Sequence, residues 1–539
     1  MFFMAKGTKK KTEDKAVDLK TVLWNCRVAL RGVGSTEKNR DAVIGLTFLK
    51  FAGDKFEKRR AEILGSKADA PFVDEPSFYT GKNCGFYLRE KSRWSYIVKH
   101  AGDDDIATLL DNAMSDIDQT NEQLTGALPV NLYTTLGASQ AKLKTLIDEV
   151  NKIDENRFSD EDLIGRVYEY FLQIYAAAGT KEDGEFYTPA SVVQLIAELI
   201  EPYNGTVYDP CCGSGGMFVQ SLKFVDRHNG NRKMVSVLGQ ESNLATWKLA
   251  KMNLAIRGIS HNLGESNGST FTEEQHKGIQ VDYIMANPPF NLKDWRKENQ
   301  LTKDPRFSGF KVPPVSNANY AWILHMLSKL KTDRGIAGFL LANGALNADG
   351  DEYEIRKELI ERDKIEAIIV LPRDMFYTTD TSVTLWILNQ NKKARRLNGR
   401  ELRDRTHEIL FVDLRPWEEN VNVIKIDAKL TKKKVFLSDE QIARVVKLYQ
   451  AWQGVDRKAY MDIPELCKSV KLEGKGGVRD MNYSLAPSKY IEFIDRDLEI
   501  NYKKEMKRIQ KEMTEVLTEE KTAQKLLIRS FKGIGYGID

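Results

Sequence analysis

The strongest indication of the fold is the stretch Thr206-Val207-Tyr208-Asp209-Pro210-Cys211-Cys212-Gly213-Ser214-Gly215-Gly216. A short apolar strand runs into a glycine-rich turn, and a helical pattern begins directly after it. The glycines allow the backbone to approach a ligand closely, and the amide groups at the start of a helix donate hydrogen bonds. Open α/β sheets bind ligands at the carboxyl ends of their strands. The stretch therefore predicts a ligand-binding turn or a purely structural one, and its spacing differs from the Gly-x-Gly-x-x-Gly pattern of dinucleotide sites.

Short apolar strands and helices alternate after this turn. Strands are predicted at 206–208, 235–238, 283–286, 336–341 and 365–371. Helices are predicted between them, at 243–257, 320–330 and 351–362. This alternation favours the α/β class, with a doubly wound, Rossmann-like parallel sheet. Two further strands, at 383–389 and 409–413, have no clear helix between them and are predicted to form an antiparallel edge.

Other segments flank this α/β region on both sides. Residues 1–16 are polar and Lys-rich, which predicts a disordered basic arm. Residues 17–155 predict a helical N-terminal domain, the α/β domain is assigned to 156–430, and a C-terminal region covers 431–539. The apolar residues at helical spacing in the first predicted helix are Leu19, Val22, Leu23, Cys26 and Leu30.

The tail of the chain is highly charged and carries apolar residues at alternating intervals of four and three, interrupted only by Glu520. Such a heptad stripe predicts a helix that docks on a partner, or one that packs on its own domain. The stripe consists of Tyr502, Met506, Ile509, Met513, Val516, Ala523 and Leu527.

Composition narrows the classes of function. The 81 basic and 77 acidic residues leave a net charge of +4, so any charge that binds nucleic acid is local or comes from a partner. The five cysteines are scattered without zinc-site spacing, so we expect reduced thiols, no metal and a cytoplasmic location. No apolar run reaches the ~18 residues that cross a bilayer, and no secretory signal precedes the N-terminal lysines, so no membrane association is expected.

Glu241 stands at the end of the second predicted strand. A carboxylate at this point of an α/β sheet suits the two hydroxyls of a ribose. A solvated glutamate at a strand end is the alternative interpretation.

The sequence Asn287-Pro288-Pro289-Phe290 directly follows the third predicted strand. Proline has no N–H to donate, so this loop presents acceptors that can hold and orient a planar amino group. The aromatic ring can stack on a base, and a base reaches such a pocket only by leaving the duplex. A simple turn also explains Asn-Pro-Pro when it is taken alone.

Taken in order, residues 185–190, 209–216, 241 and 287–290 resemble the motifs of amino-group DNA methyltransferases of the gamma order. More narrowly, the chain resembles the modification (methyltransferase) subunit of type I restriction–modification systems. Further similar stretches lie at 317–322, 338–344, 370–372 and 375–377, and the resemblance extends over roughly 17–530.

The resemblance implies a methyltransferase domain at 156–430 that uses S-adenosyl-L-methionine. The residues implied to bind this cofactor are Glu185, Phe186, Tyr187, Thr188, Pro189, Ala190, Asp209, Ser214, Gly215, Gly216 and Glu241. The residues implied to be catalytic are Asn287, Pro288, Pro289 and Phe290.

Within these sets, the resemblance implies separate roles. Residues 185–190 would contact the methionine part of the cofactor, and Glu241 would hold the ribose hydroxyls. Asn287 and Pro288 would bind the adenine amino group for a direct methyl transfer, and Phe290 would stack on the flipped base. The chain departs from the family at Asn267, where such enzymes often carry an acidic residue near the cofactor adenine.

The resemblance also implies partners. They are double-stranded DNA with a flipped adenine, a specificity subunit that binds two copies of this chain, and a restriction subunit in the larger complex. The chain has no Gly-x-x-x-x-Gly-Lys-Ser/Thr loop, so it is not itself the ATP-driven restriction subunit. The alternatives are a methyltransferase that acts on cytosine N4, an RNA base or a protein glutamine, and a catalytically silent scaffold.

Overall fold

A computed structural model describes the protein as two compact units, one ending at Tyr490 and the other running from Ile491 to Asp539. The described residues are 19–79, 86–153, 167, 170, 188–376, 381–425, 431–494, 502–533 and 535–536. The predicted arm at 1–16 and the predicted site residues Glu185, Phe186 and Tyr187 lie outside these ranges.

Five α-helices occur in the described residues between 19 and 153, as the apolar spacing predicts. They are α1 (Leu19–Ala29), α2 (Thr36–Gly65), α3 (Trp94–Lys99), α4 (Ile106–Thr120) and α5 (Gln140–Val150). The apolar residues predicted to face the core, from Leu19 to Leu30, are all buried. Ser35 and Ser139 begin α2 and α5 with side chains that accept a backbone N–H of the first turn, which satisfies an otherwise unpaired donor.

The rest of the first unit alternates strands and helices, which confirms the predicted α/β class. Its strands are β1 (Gly205–Asp209), β2 (Val235–Gly239), β3 (His261–Asn262), β4 (Tyr283–Ala286), β5 (Ile336–Ala342), β6 (Ile365–Val370), β7 (Val383–Asn389), β8 (Arg395–Leu397), β9 (Arg400–Leu402), β10 (Glu408–Asp413), β11 (Val421–Lys425), β12 (Thr431–Val435) and β13 (Cys467–Lys471). Its helices are α6 (Ala190–Ile200), α7 (Gly216–Arg227), α8 (Leu244–Ile256), α9 (Asn319–Lys329), α10 (Asp351–Glu361) and α11 (Asp439–Gln453).

Nine of the described strands form one sheet in the order β13-β10-β6-β7-β5-β4-β1-β2-β3. All neighbours from β3 to β5 are parallel, and so are β6 and β10. The sheet is therefore mostly parallel and Rossmann-like, as predicted. β8 and β9 form a separate hairpin, and so do β11 and β12.

The predicted antiparallel edge at 383–389 and 409–413 is wrong. β7 is antiparallel, but it lies inside the sheet between β5 and β6, and β10 runs parallel to β6. The antiparallel edge strand is β13 instead. All seven residues of β7 are buried, which is typical of a strand covered on both faces and not of an edge.

One helix, α8, joins the helical N-terminal part to the sheet. Leu249, Met252 and Ile256 belong to the core of the N-terminal helices, whereas Ala250 and Leu254 belong to the core on the sheet. Because α8 buries residues in both cores, the two parts form a single unit rather than two separable ones.

A buried polar cluster lies beside the amino ends of the interior strands β5 and β6. Glu366 and Arg405 are fully buried and form an ion pair at 3.1 Å, and the Asn389 amide also donates to Glu366. Asn389 pairs with Ile336, the first residue of β5, so this cluster is at the opposite sheet edge from the carboxyl ends of the parallel strands.

The second unit contains α12 (Tyr502–Gly533), which confirms the predicted C-terminal helix. Its predicted stripe is exposed: Tyr502 is 74% exposed, and Met513 and Val516 are each 62% exposed. No helix in the described residues combines the length and the apolar character needed to cross a bilayer.

Candidate functional site

Three predicted site residues meet at one edge of the sheet. Asp209 is the last residue of β1, Glu241 follows the end of β2, and Asn287 follows the end of β4. The strand order places β1 between β2 and β4, and all three strands are parallel. Their carboxyl ends therefore converge, which is where open α/β sheets bind ligands.

The glycine-rich turn connects Asp209 to α7. Gly213 and Gly215 have φ angles of 53° and 81°, a left-handed backbone that glycine adopts without strain. A Cβ at Gly213 would meet no atom within 4 Å, so the space beside this residue is open. On the other side, Asn253 of α8 donates through Nδ2 to the Ser214 carbonyl at 2.8 Å and so holds the turn on the fold.

Glu241 binds the glycine-rich turn. Its Oε2 accepts the Gly213 N–H at 3.0 Å, and its Oε1 accepts the Asn243 N–H at 2.8 Å. Burial raises the pKa of the Glu241 carboxyl, and these amide donors partly offset the rise because they favour the charged form. Glu241 also lines the cavity described below, and a carboxylate has further lone pairs that can accept hydrogen bonds.

Asp209 is buried at the base of the same turn. Its Oδ1 accepts the Cys211 N–H at 3.0 Å. Burial raises the pKa of the Asp209 carboxyl to about 7. Burial, followed by the nearby Asp209 charge, also raises the pKa of the Cys211 thiol well above its usual range. A thiol held protonated is a poor nucleophile.

Asn287 carries an unused acceptor. Its Nδ2 donates to the Thr188 hydroxyl at 2.9 Å, whereas its Oδ1 is buried and has no hydrogen-bond partner among the described residues. A buried acceptor without a partner is costly, so such an atom suits a ligand that brings its own donor.

A cavity of about 630 Å³ opens beside these residues. Its lining includes Glu241, Ser214 and the turn, and also Asn287, Pro289 and Phe290. A second, smaller cavity of about 50 Å³ is lined by Thr188, Ala190, Asp209, Ser214 and Gly216, and Asn287 lines both.

The remaining predicted site residues have other places. Pro189 is the N-cap residue of α6, and Gly215 is the N-cap residue of α7. A Cβ added to Gly215 would lie 3.4 Å from the Leu254 side chain. Pro288 lies in the loop between two cavity-lining residues, Asn287 and Pro289.

Sequence reasoning missed the aromatic wall of the large cavity. The Phe271 ring lies 4.6 Å from that of Trp295 and 4.3 Å from that of Trp322, measured between ring centroids, and all three line the cavity. Arg306 holds the wall in place, because its guanidinium donates to the Thr270 and Phe271 carbonyls at 2.9 and 2.6 Å. No local pattern signals Phe271 or Trp295, and Trp322 lies in the similar stretch 317–322 without any role expected for it, because the three residues belong to separate segments of the chain.

Asn267, where the chain departs from the family pattern, forms a hydrogen bond with the loop after β2. Its Nδ2 donates to the Ser242 carbonyl at 2.7 Å, and the Gly268 N–H donates to the Glu241 carbonyl at 2.9 Å. Asn267 therefore stabilises the loop after β2.

No cluster of three or more His, Cys, Asp or Glu side chains suited to a metal ion occurs in the described ranges.

Comparisons with known proteins agree along most of the chain. The family described as N-6 DNA Methylase matches residues 159–497, and the HsdM N-terminal domain matches residues 19–150. The type I restriction enzyme HindI methylase subunit of Haemophilus influenzae is 36% identical over 442 residues, which cover 80% of this chain and 93% of that protein. The MjaIX methylase subunit of Methanocaldococcus jannaschii is 28% identical over 536 residues, which cover 95% of this chain and 91% of that protein.

A solved structure has the same fold. The type I restriction-modification system methyltransferase subunit of Streptococcus thermophilus superposes with a TM-score of 0.68 at 22% identity, over 88% of this chain and 99% of that one.

Proposed function

This chain belongs to the family of type I restriction–modification methylase subunits, and from that premise we propose that it methylates the N6 amino group of adenine in DNA, with S-adenosyl-L-methionine as the methyl donor. Membership of the family makes the chain a DNA methyltransferase modification subunit. The observation that carries the finer proposal is the buried Oδ1 of Asn287, which has no hydrogen-bond partner among the described residues. Asn287 lines the large cavity, and an amino group is one donor that satisfies such an acceptor.

The residues on the cofactor side fit S-adenosyl-L-methionine. Its bulk is accommodated by a cavity of about 630 Å³, and the open space beside Gly213 lets a ligand approach the backbone. Glu241 supplies a carboxylate for the ribose hydroxyls, and Asp209 supplies a second carboxylate near the glycine-rich turn. The bound cofactor supplies an electrophilic methyl group on a positively charged sulfur.

The residues of the target side orient the base. Asn287 Oδ1 accepts an N–H of the adenine amino group, and Phe290 stacks on the ring of the flipped base. This arrangement turns the lone pair of the amino nitrogen towards the methyl group. The hydrogen bond to Oδ1 strengthens as positive charge develops on that nitrogen, so it contributes mainly to the transition state.

We propose DNA and two other subunits as partners. Recognition of the DNA sequence by a separate specificity subunit, bound to two copies of this chain, agrees with the net charge of only +4. The exposed stripe of α12 is the surface proposed to dock on that subunit. A restriction subunit completes the larger complex.

The proposal is tested with the purified chain, tritiated S-adenosylmethionine and DNA from a host strain that lacks this protein, followed by nucleoside analysis. We expect label in N6-methyladenine only when the specificity subunit is added. Label with the chain alone would disprove the dependence on a partner. Label in cytosine would replace adenine as the target. No label on DNA while the cofactor still binds would disprove the DNA substrate, and leave RNA, protein or a silent scaffold.

Asn287→Ala is the variant that addresses the key observation. We expect turnover to fall by about 100- to 1000-fold, the usual cost of removing one preorganised polar group, while cofactor affinity stays unchanged. Asn112→Ala, at an exposed position on α4, is the matched control and keeps full turnover. Loss of cofactor binding in Asn287→Ala would contradict the role assigned to this residue.

A further inference from the structure

Three asparagines tie the loop after Phe290 to the start of α9. Asn319 accepts the Asn291 N–H through Oδ1 at 3.0 Å and donates through Nδ2 to the Asn291 Oδ1 at 2.9 Å. Asn317 adds a longer contact at 3.5 Å from its Nδ2 to the same Asn291 oxygen. Both ends of the Asn319 amide are therefore used on one residue of the loop.

Asn291 occupies a backbone position that needs such support. Its φ angle is 54°, in the left-handed region, and it directly follows the ring proposed to stack on the base. Asparagine tolerates this region better than most residues, but the position remains strained compared with ordinary backbone. The two hydrogen bonds between Asn319 and Asn291 hold this turn of the chain, directly beside Phe290.

The other side of this contact is buried and held by hydrogen bonds. Asn319 is only 1% exposed, and its own N–H, at the first residue of α9, donates to Asn317 Oδ1 at 3.0 Å. Tyr320, the next residue, is fully buried and donates to the Ala345 carbonyl at 2.7 Å. The loop is further joined to this helix start by the Ala318 N–H, which donates to the Leu292 carbonyl at 2.9 Å.

We propose that Asn319 is a positioning residue for methyl transfer, which acts through Asn291 to hold Phe290 and the catalytic loop in the orientation that receives the target base. The inference rests on the proposed function, because it concerns the same loop. Asn319 does not line the cavity, so it acts on the rate through the loop and not through contact with a ligand.

Two substitutions of similar size separate hydrogen bonding from space filling. Asn319→Leu fills the site but removes both hydrogen bonds to Asn291. Asn319→Asp keeps an acceptor for the Asn291 N–H. Its second carboxylate oxygen accepts from the Asn291 Nδ2 after the Asn291 side-chain amide rotates by 180°. Asn389→Leu is the control, because it removes a buried asparagine amide at the opposite edge of the sheet.

The measurement is single-turnover methyl transfer by the complex with the specificity subunit, at saturating tritiated S-adenosylmethionine and with the complex in excess over its DNA sites. Partial unfolding lowers the concentration of active complex but not the rate constant at saturation. We expect Asn319→Leu to lower the rate constant by about 100-fold, the cost of a displacement of about 1 Å near reacting groups. Asn319→Asp and Asn389→Leu should keep most of the wild-type rate constant, and all variants should bind the cofactor as the wild type does.

Three results would overturn the inference: an unchanged rate constant in Asn319→Leu, an equal loss in Asn389→Leu, or a loss in Asn319→Leu explained by weaker cofactor binding. Failure of the proposed function is distinguishable, because the wild-type complex itself would then place no label in N6-methyladenine.

Discussion

The hydrogen bond between Asn287 and Thr188 determines how the central amide of the site is oriented. A side-chain amide has a donor end and an acceptor end, and the Thr188 hydroxyl accepts from the donor end at 2.9 Å. The acceptor end is thereby left for a ligand. The resemblance to the family implied only a cofactor contact for Thr188, so its second role is an addition from the structure.

Thr188→Val preserves the shape of the side chain but removes this acceptor. We expect the single-turnover rate of methyl transfer to fall by about tenfold, since one net hydrogen bond contributes up to about 1.5 kcal/mol. Thr188→Ser, which retains the hydroxyl, should restore the rate. If the valine and serine variants react equally fast, the hydroxyl does not orient Asn287.

We expect Asp209 to make cofactor binding depend on pH. Burial raises the pKa of its carboxyl from an ordinary 3.8 to about 7, so this group is protonated below pH 7 and charged above it. A positively charged cofactor favours the charged carboxylate. The dissociation constant for S-adenosylmethionine should therefore decrease as the pH rises from 6 to 8, as measured by calorimetric titration. In Asp209→Asn the dissociation constant should change much less with pH. An equally steep change in this variant would mean that another group causes the pH dependence.

The same pKa affects the stability of the cofactor-free protein. Between about pH 4 and pH 7 the folded protein binds more protons at Asp209 than the unfolded chain does. The contribution of this residue to the free energy of unfolding therefore decreases as the pH rises through that range.

At the scale of elements, the junction between β1 and α7 depends on two neighbouring glycines. Gly215 caps α7 in a left-handed conformation, whereas Gly216 is the first residue of the helix and has ordinary φ. The two neighbouring glycines are thus required for different reasons: the first by backbone geometry, and the second by the space it leaves at the cavity.

Gly215→Ala should lower the free energy of unfolding by about 1–2 kcal/mol, the cost of a left-handed conformation for a residue with a Cβ. Gly216→Ala is the adjacent control, because its Cβ would meet no atom within 4 Å and alanine favours helix by up to about 1 kcal/mol. Thermal denaturation without cofactor compares the two. Equal stability of both variants would show that the strain at Gly215 is relieved in solution.

At the scale of the whole molecule, one unit holds the described residues of the candidate site and the other presents an apolar stripe. The first unit joins its helical and α/β parts through the shared helix α8. The second unit consists largely of α12, whose apolar residues are exposed. A long helix with an exposed apolar stripe is stabilised when a partner covers that stripe.

Met513→Asp combined with Val516→Asp should abolish co-purification with the specificity subunit, because both residues lie on the stripe and become charged. Cofactor affinity should not change, because the site lies in the first unit. Lys511→Ala combined with Glu515→Ala changes the same part of α12 outside the stripe and should leave assembly intact. Retained assembly in the stripe variant would assign the interface to another surface.

The order of motifs along the chain was sufficient to predict the fold class, the helical flanks and the family, because each depends on local periodicity or on short stretches of fixed spacing. Strand ends at Asp209, Glu241 and Asn287 could be expected to converge, because parallel strands share one edge. The implied cofactor contacts at 185–187 remain predictions, because they lie outside the described residues.

Contacts between distant residues became visible only in the folded protein. Thr188 and Asn287 are 99 residues apart, and Asn291 and Asn319 are 28 apart, so no local pattern links them. The same is true of β7, which inserts between β5 and β6 although its sequence alone is compatible with an edge or an interior strand. Side-chain pairing and strand order depend on how whole elements pack, and local sequence specifies the elements much more strongly than their arrangement.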